Sequence, residues 1–323
     1  MSGENSFAPA WLEFEKELGG RQALHGPTFD DLFKGWTRFS GVLGSKLTFP
    51  APDISVKTED KAISPDVTVR IYTPPNHTGG KPVGIFIHGG GWVFGDLDGE
   101  DAFCRSIAID TGTVLVSVDY RLAPKHKYPI ALDDCVATYH WVIENTGYLN
   151  TTAGQVFTIG GSAGGGLALG LALNLIDAGL GGTVKGVVAL VPVTVHPDAC
   201  PAELKSGFTS YEENAEYTIN TNSAMRAFFE AYDAPLSDHY TSPLLHKRIK
   251  DLPRTYIATA GMDTLRDDGR LFKKALDNAG VPNRYDEFEG YPHWFWAFPS
   301  KHLEPITKDF HEKLQKAIEF ILS

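Results

Sequence analysis

Short apolar runs alternate with helix-like stretches over most of the chain, starting near residue 54. Several of the runs are continuously apolar, which is typical of strands buried on both faces of a sheet. The stretches between them carry helix signals, such as a glycine directly after the last apolar turn. We expect strands at 67–74, 83–88, 113–120, 156–161, 184–193, 255–261 and 284–290. The alternation predicts an α/β fold, with a mostly parallel central sheet flanked by helices.

Two segments interrupt this alternation, residues 1–52 and 197–250, and both are rich in aromatic residues. A chain of 323 residues can form one large domain or two small ones. We expect a single domain over 1–323, in which the two segments form a helical cap over the sheet; a separate small domain is the alternative. Aromatic residues recur at helical spacing in the segments, and we expect most of them to pack the cap onto the sheet: Trp11, Phe14, Phe33, Trp36, Phe228 and Phe229.

The formal net charge of −11 argues against a nucleic-acid partner or an anionic membrane surface. Cys104, Cys135 and Cys200 are far apart in the sequence, which suits buried thiols in a reducing compartment. The N-terminal residues do not have the pattern of a signal peptide, and the longest apolar stretch, 166–176, is too short to cross a bilayer. We therefore expect a cytoplasmic protein without membrane association.

The stretch TIGGSAGGG contains the pattern Gly160-x-Ser162-x-Gly164, between an apolar run and a helix of small residues. This is the context of a nucleophile elbow, in which a serine stands on a tight strand-to-helix turn. Glycines two residues before and after the serine are needed because a Cβ atom there would clash. The alternative is an ordinary glycine-rich turn. We predict that Ser162 is a catalytic nucleophile.

Three consecutive glycines, Gly89, Gly90 and Gly91, follow the run VGIFIH. Glycines allow the backbone to approach a reacting carbonyl closely and to direct amide N–H groups at it. We predict an oxyanion hole built from these glycines and the N–H of Ala163. A phosphate-binding loop is disfavoured because the sequence contains neither GxGxxG nor Gly-Lys-Ser/Thr. Since HExxH and cysteine clusters are also missing, we expect no cofactor and no metal.

A serine nucleophile needs a base, and the base needs a group that orients it. We predict that His293 and Asp263 supply them, because each follows an expected strand at the same edge of the sheet. Asp267 and Asp268 are rivals, but they fall within the next helix and should serve its N-terminus. His88 is expected to shape the glycine loop.

Two tryptophans adjoin the predicted machinery: Trp92 follows the glycines and Trp294 follows the histidine. We expect both to contact substrate.

Four motifs in this order, HGGG, GxSAGG, DYRLAPKHKYPIALDD and DTLRDDG, resemble the hormone-sensitive-lipase (type IV) branch of the α/β-hydrolases. The resemblance covers about residues 80–300. The stretch YPHWFWAFP and the N-terminal segment are most similar to fungal carboxylesterases, versiconal hemiacetal acetate esterases included. By this resemblance Arg121, Pro124, Asp133 and Asp134 brace the loops around the site. One departure is Gly161, where most relatives carry Asp, and it leaves open how the oxyanion loop is held.

The residues and the resemblance together predict a serine carboxylesterase of the α/β-hydrolase fold, acting on short- to medium-chain acyl esters. Its partner would be a small-molecule ester, and a homo-oligomer stays open. A first alternative is a binding protein on the same scaffold, like the gibberellin receptors, but those lack the catalytic histidine. A second alternative, an amidase or arylacetamide deacetylase, would use the same triad.

Overall fold

Eight strands form one sheet in the computed structural model, which describes residues 7–75, 77–151, 154–216 and 219–323. The strands are β1 (Lys57–Ala62), β2 (Thr68–Thr73), β3 (Val83–Ile87), β4 (Leu115–Asp119), β5 (Val156–Gly161), β6 (Val184–Leu190), β7 (Arg254–Ala260) and β8 (Asn283–Phe288). Their order across the sheet is β1-β2-β4-β3-β5-β6-β7-β8. The β1–β2 and β2–β4 pairs are antiparallel and the remaining pairs are parallel. The predicted mostly parallel sheet is thus confirmed.

Each of the seven runs predicted as strands overlaps one strand of the sheet, whereas β1 was not predicted. Its sequence, KTEDKA, is polar and almost wholly exposed. As an edge strand that pairs only with β2, it needs no apolar face, and charged residues protect such an edge from further pairing. The periodicity of apolar residues therefore gives no signal for β1.

Helices cover both faces of the sheet. They are α1 (Pro9–Glu17), α2 (Phe29–Lys46), α3 (Asp101–Thr111), α4 (Ile130–Glu144), α5 (Thr146–Leu149), α6 (Ala163–Asp177), α7 (Ser210–Glu213), α8 (Asn222–Tyr232), α9 (Arg266–Asn278) and α10 (Glu304–Leu322). Nearly every residue of α6 is buried, because this helix packs against β3, β5 and β6 at the centre of the sheet. Its small residues permit the close approach: a Cβ atom on Gly164 would lie 2.1 Å from the carbonyl oxygen of Ile87.

The two segments that interrupt the alternation contact each other. Leu24 pairs with Asn220 in an isolated parallel bridge, and the Leu24 N–H donates to the Ile219 carbonyl at 2.9 Å. The carbonyl of Leu24 also accepts a hydrogen bond from the Thr221 hydroxyl, and helices α2 and α8 pack together. Residues 1–6 and 217–218 of these segments lie outside the described residues.

Aromatic rings attach the N-terminal segment to the rest of the molecule, as in the stacking of Phe14 on Phe298 at 5.1 Å. Four of the six aromatic residues expected to pack there are buried and Trp36 packs against the core, but Phe33 is exposed. Most of the six therefore pack as expected, and Phe33 is the exception.

The three cysteines are free and buried. Burial raises the pKa of the Cys104 and Cys135 thiols, which keeps both groups protonated and poorly reactive. Within the described ranges, no helix has both the length and the apolar character that crossing a bilayer requires.

Candidate active site

Ser162 lies on the turn between β5 and α6. Its backbone has φ 57° and ψ −124°, a conformation that residues with a side chain rarely adopt. A Cβ atom on Gly160 would lie 2.4 Å from the Gly164 carbonyl oxygen, so the turn requires glycine there. The Ser162 N–H donates to the Leu190 carbonyl at 2.8 Å, which ties the turn to β6. This geometry is that of a nucleophile elbow.

His293 and Asp263 come together at the same edge of the sheet. Asp263 follows β7, His293 follows β8, and these two strands are parallel neighbours. The distance from His293 Nδ1 to Asp263 Oδ2 is 2.6 Å, and both side chains are buried. Because the carboxylate accepts a hydrogen bond from Nδ1–H, the lone pair of His293 is left on Nε2. His293 and Ser162 line the same cavity.

The second carboxylate oxygen of Asp263 is also hydrogen-bonded. Asp263 Oδ1 accepts from the Leu265 N–H at 3.0 Å and from Asn220 Nδ2 at 3.1 Å. Asn214 Nδ2 donates to the Asp263 carbonyl at 2.8 Å. Both asparagines belong to the segment 197–250, and no sequence pattern pointed to them because neither lies in a motif. Asn220 holds the buried carboxylate in one orientation, and Asn214 fixes the backbone beside it.

Asp267 and Asp268 use their carboxylates elsewhere. Asp267 Oδ2 accepts from the Thr209 and Ser210 N–H groups, each at 2.8 Å. Asp268 Oδ1 accepts from the Thr194 N–H at 2.8 Å and the Val195 N–H at 3.2 Å. Both lie in the first turn of α9, as expected, and their carboxylates also fix the loops after β6 and before α7.

The glycine loop is held from one side by His88. The His88 ring stacks on Tyr120, with ring centroids 4.1 Å apart, and His88 Nδ1 lies 2.8 Å from the Gly89 carbonyl oxygen. Burial lowers the pKa of His88 to about 4, so its ring stays neutral and Nδ1–H donates to that carbonyl. His88 shapes the loop in the way that the sequence predicted.

Positive φ angles occur at Gly90 (107°) and Gly91 (62°). A Cβ atom would lie 2.3 Å from the Phe94 carbonyl oxygen at Gly90, and 2.4 Å from Phe228 Cδ1 at Gly91. Both positions therefore require glycine. Gly89, Gly90 and Gly91 line the cavity that contains Ser162. Ala163 is the first residue of α6, where an amide N–H has no partner within its own helix.

The segment after β4 braces the glycine loop although Gly161 replaces the usual aspartate. The Tyr120 hydroxyl donates to the His88 carbonyl at 3.1 Å, and the Ala123 N–H donates to the Trp92 carbonyl at 2.9 Å. These contacts, together with those of the His88 ring, hold the glycine loop in place.

The same segment is itself fixed by an ion pair. Arg121 Nη2 lies 2.7 Å from Asp134 Oδ1, and the Arg121 N–H donates to Asp134 Oδ2 at 2.9 Å. Asp134 is buried, whereas Asp133 is exposed on the outer face of α4. The Arg121–Asp134 pair braces this segment, as the resemblance implies. Asp133, which is exposed, does not take part in this bracing.

The cavity has a volume of about 850 Å³, counting the part open to solvent. Trp294 lines it and stacks on Trp36 with ring centroids 6.3 Å apart. Trp92 does not belong to its wall: only 2% of Trp92 is exposed, and its ring stacks on Tyr232 at 4.6 Å. The expected substrate contact of Trp92 is therefore corrected to a packing contact with α8.

One cluster of potential metal ligands, Asp177, His239 and His246, occurs in the part of the chain that the structure describes. The Arg248 N–H donates to His246 Nδ1 at 3.0 Å, so the ring proton lies on Nε2 and donates to Asp177 Oδ2 at 3.1 Å. A metal bound to His246 Nε2 would require the ring proton to lie on Nδ1. That proton would point at the Arg248 N–H, which now donates to Nδ1. These hydrogen bonds therefore make the cluster a poor metal site.

Residues 84–297 match the family model described as alpha/beta hydrolase fold. The match covers more than half of the chain, and the chain belongs to this family. The resemblance predicted from the four motifs is thereby confirmed.

Two similar proteins are fungal. A versiconal hemiacetal acetate esterase of Aspergillus parasiticus is 47% identical over 98% of this chain and 99% of its own length. The versiconal hemiacetal acetate esterase stcI of Emericella nidulans is 46% identical over 88% of this chain and 98% of its own. Among solved structures, a mutant of the esterase rPPE is 25% identical with a TM-score of 0.84, covering 100% of this chain and 99% of that one.

Proposed function

We propose that this protein is a serine carboxylesterase that hydrolyses short- to medium-chain acyl esters through an acyl-enzyme. The class, a carboxylic ester hydrolase, is that of its relatives, which include esterases at 47% identity over nearly the full chain. The observation that most supports the serine mechanism is the 2.6 Å contact between His293 and Asp263 in the cavity that also holds Ser162.

Each residue has a defined part in the proposed reaction. His293 Nε2 takes the Ser162 hydroxyl proton while Oγ attacks the ester carbonyl carbon. Asp263 keeps the imidazole in the correct tautomer and stabilises its cationic form. The protonated His293 then gives its proton to the leaving alcohol as the carbon–oxygen bond breaks. Water, activated by the same histidine, hydrolyses the acyl-enzyme and frees the acid.

Backbone amides would stabilise the negative charge that develops on the carbonyl oxygen. The glycine loop approaches Ser162 closely, since a Cβ atom on Gly89 would lie 3.5 Å from Ser162 Cβ, and the N–H of Ala163 directly follows Ser162 in the chain. Because the loop is fixed by His88 and Tyr120, its amides need not reorganise during the reaction. Such preorganised donors contribute about 3–4 kcal/mol each to lowering the barrier.

A receptor-like binding protein is less well supported, because His293 is present and hydrogen-bonded to a buried carboxylate. The fungal relatives are named for an acetate ester, and acetates fall within the proposed short-chain range. The three free, buried cysteines suit a reducing compartment, so we propose a cytoplasmic location.

A fluorophosphonate probe tests the proposed function. We expect a single covalent adduct on Ser162, mapped by peptide mass spectrometry, and parallel loss of p-nitrophenyl butyrate hydrolysis. Ser162→Ala should neither be labelled nor hydrolyse the ester, while Ser106→Ala, a hydroxyl loss in α3, should behave as the wild type. Labelling at another residue, or no labelling, would favour a binding protein.

A further inference from the structure

The loop leading into α3 carries four acidic residues between Asp96 and Asp101, and three of them have partners. Asp96 Oδ1 accepts from the N–H groups of Asp98 and Gly99 at 3.0 and 2.8 Å. Asp98 and Asp101 pair with Arg70 at 2.7 and 3.4 Å. Glu100 differs: it is the N-cap residue of α3, but within the described residues its carboxyl group makes neither a capping hydrogen bond nor any other.

Glu100 lines the cavity that contains Ser162 and His293. Its neighbours in that wall include aromatic rings. Phe103 lies one helical turn further on, with its ring 5.9 Å from that of Phe86 and 6.4 Å from that of Trp296. A polar group placed among apolar rings is costly unless something binds it.

A second polar group of the same wall is also unpartnered. His88 is fully buried, and because its Nδ1–H donates to the Gly89 carbonyl, Nε2 carries a lone pair. Nε2 has no hydrogen-bonding partner in the part of the chain that the structure describes. Unlike Glu100, which is partly exposed, this atom is wholly buried, so Glu100 is the one of the two that a ligand can reach.

We propose that Glu100 determines substrate specificity by hydrogen-bonding a hydroxyl group that the ester carries away from its reacting carbonyl. This inference rests on the proposed function, since it concerns the substrate of the same cavity. The substrate class is then a hydroxylated ester, in contrast to a plain alkyl ester.

The state of the carboxyl group favours a hydroxyl as its partner. Glu100 is partly exposed through the cavity and otherwise surrounded by protein, and this burial raises its pKa to about 8. At neutral pH the group is therefore protonated and can both donate and accept a hydrogen bond. A hydroxyl group also does both, so the two are complementary.

Ester pairs that differ by one hydroxyl group test the proposal. Resorcinol monoacetate against phenyl acetate places the hydroxyl in the alcohol part, and p-nitrophenyl 3-hydroxybutyrate against the butyrate places it in the acyl part. The quantity measured is the ratio of kcat/KM within each pair. We expect Glu100→Leu to lower this ratio about tenfold for at least one pair, the loss of one hydrogen bond.

Two further variants separate recognition from a structural effect. Glu100→Gln keeps a donor and an acceptor and should retain the ratio within about threefold. Asp98→Asn removes a carboxylate of the same loop that pairs with Arg70, and should leave the ratio at its wild-type value.

Equal ratios in the wild type and Glu100→Leu for both pairs would overturn the proposal while leaving the esterase intact. If the wild type hydrolyses none of the four esters and the fluorophosphonate does not label Ser162, the proposed function itself fails.

Discussion

Asp263 receives contacts from separate parts of the chain, and these fix its carboxylate before any substrate binds. One oxygen faces His293 and the other accepts from the Leu265 N–H and from Asn220. The chain position of Asp263 after a strand was readable in the sequence. The asparagine was not, because its role depends on how a distant segment folds back onto the sheet.

Replacing Asp263 by Asn should reduce kcat by about 10⁴-fold, by analogy with serine proteases, because the amide favours the wrong tautomer of His293. The measurement is kcat for p-nitrophenyl butyrate at neutral pH. Asp267→Asn is the matched control, since Asp267 binds the Thr209 and Ser210 N–H groups and not the histidine. A larger loss of kcat in Asp267→Asn than in Asp263→Asn would show that the orienting carboxylate is misassigned.

Glu100 should make the stability of the protein depend on pH. Burial raises its pKa from 4.5 to about 8, so the folded protein keeps a proton that the unfolded chain releases above pH 4.5. Stability therefore falls as pH rises from about 4.5 to about 8, at up to about 1.4 kcal/mol per pH unit, and then stays level.

Glu100→Gln removes this dependence. In urea unfolding, we expect the free energy of unfolding of the variant to exceed that of the wild type by at least about 1 kcal/mol at pH 8.5. At pH 4.5 the two free energies should differ little. Glu230→Gln, at an exposed position on α8, controls for the loss of a negative charge. An identical gain at both pH values would contradict a raised pKa at Glu100.

At the scale of elements, the glycine loop and α8 depend on each other. A Cβ atom on Gly91 would lie 2.4 Å from the Phe228 ring, so the helix limits what the loop can carry. The glycines were readable as a loop that approaches another group closely. The sequence could not show that this group is a ring of α8, because Gly91 and Phe228 are 137 positions apart in the chain.

Gly91→Ala should therefore lower kcat/KM by at least about tenfold, since the loop must shift or the Phe228 ring must move. Adding Phe228→Ala to Gly91→Ala should recover part of this loss by making room for the methyl group. A double-mutant cycle on kcat/KM gives the coupling, with Phe228→Ala alone as its control. Strictly additive effects would mean that the φ of 62° at Gly91, and not the ring, forbids alanine.

The strands show what local pattern can and cannot predict. Five of them, β3 to β7, lie in largely apolar runs that were recognisable because nearly all of their residues are buried. The strands β2 and β8 are only partly buried and carry more polar residues. The eighth, β1, is polar and exposed, so only its pairing with β2 defines it. For Asp267 and Asp268 the sequence predicted the helix correctly, but their hydrogen bonds cross to other loops, which no local pattern encodes.

At the scale of the whole molecule, the segments 1–52 and 197–250 meet at the wall of the cavity. Leu24 of one segment and Ile219 of the other both line the cavity and are joined by a backbone hydrogen bond of 2.9 Å. In the sequence these segments interrupt the alternation of strands and helices, and their aromatic residues predicted that they pack onto the sheet. Their mutual bridge depends on contacts between parts of the chain almost 200 residues apart, as with Thr221 and Leu24.

The bounded cavity should limit acyl length. Each methylene adds about 0.8 kcal/mol of transfer free energy while space remains, so kcat/KM should rise from acetate to about butyrate or hexanoate. Beyond this the chain must stay in water or force the segments apart, and activity should be lost by about C12.

A series of p-nitrophenyl esters of increasing acyl length measures this profile. Phe228 lines the cavity, so Phe228→Ala should enlarge the cavity and move the optimum to longer acyl chains. Faster hydrolysis of palmitate than butyrate esters, with activation at the micellar threshold, would identify an interfacial lipase instead.

The backbone of Ser162 has a consequence for how this protein can evolve. At φ 57° and ψ −124° any side chain carries a cost of about 1–3 kcal/mol that glycine would avoid. Selection for stability alone would therefore replace this serine with glycine. Glycine has no side chain, so it would not clash with the flanking Gly160 and Gly164. The presence of serine indicates selection for its hydroxyl group. In a descendant relieved of that selection, we expect residue 162 to drift to glycine before the buried strands lose their apolar residues.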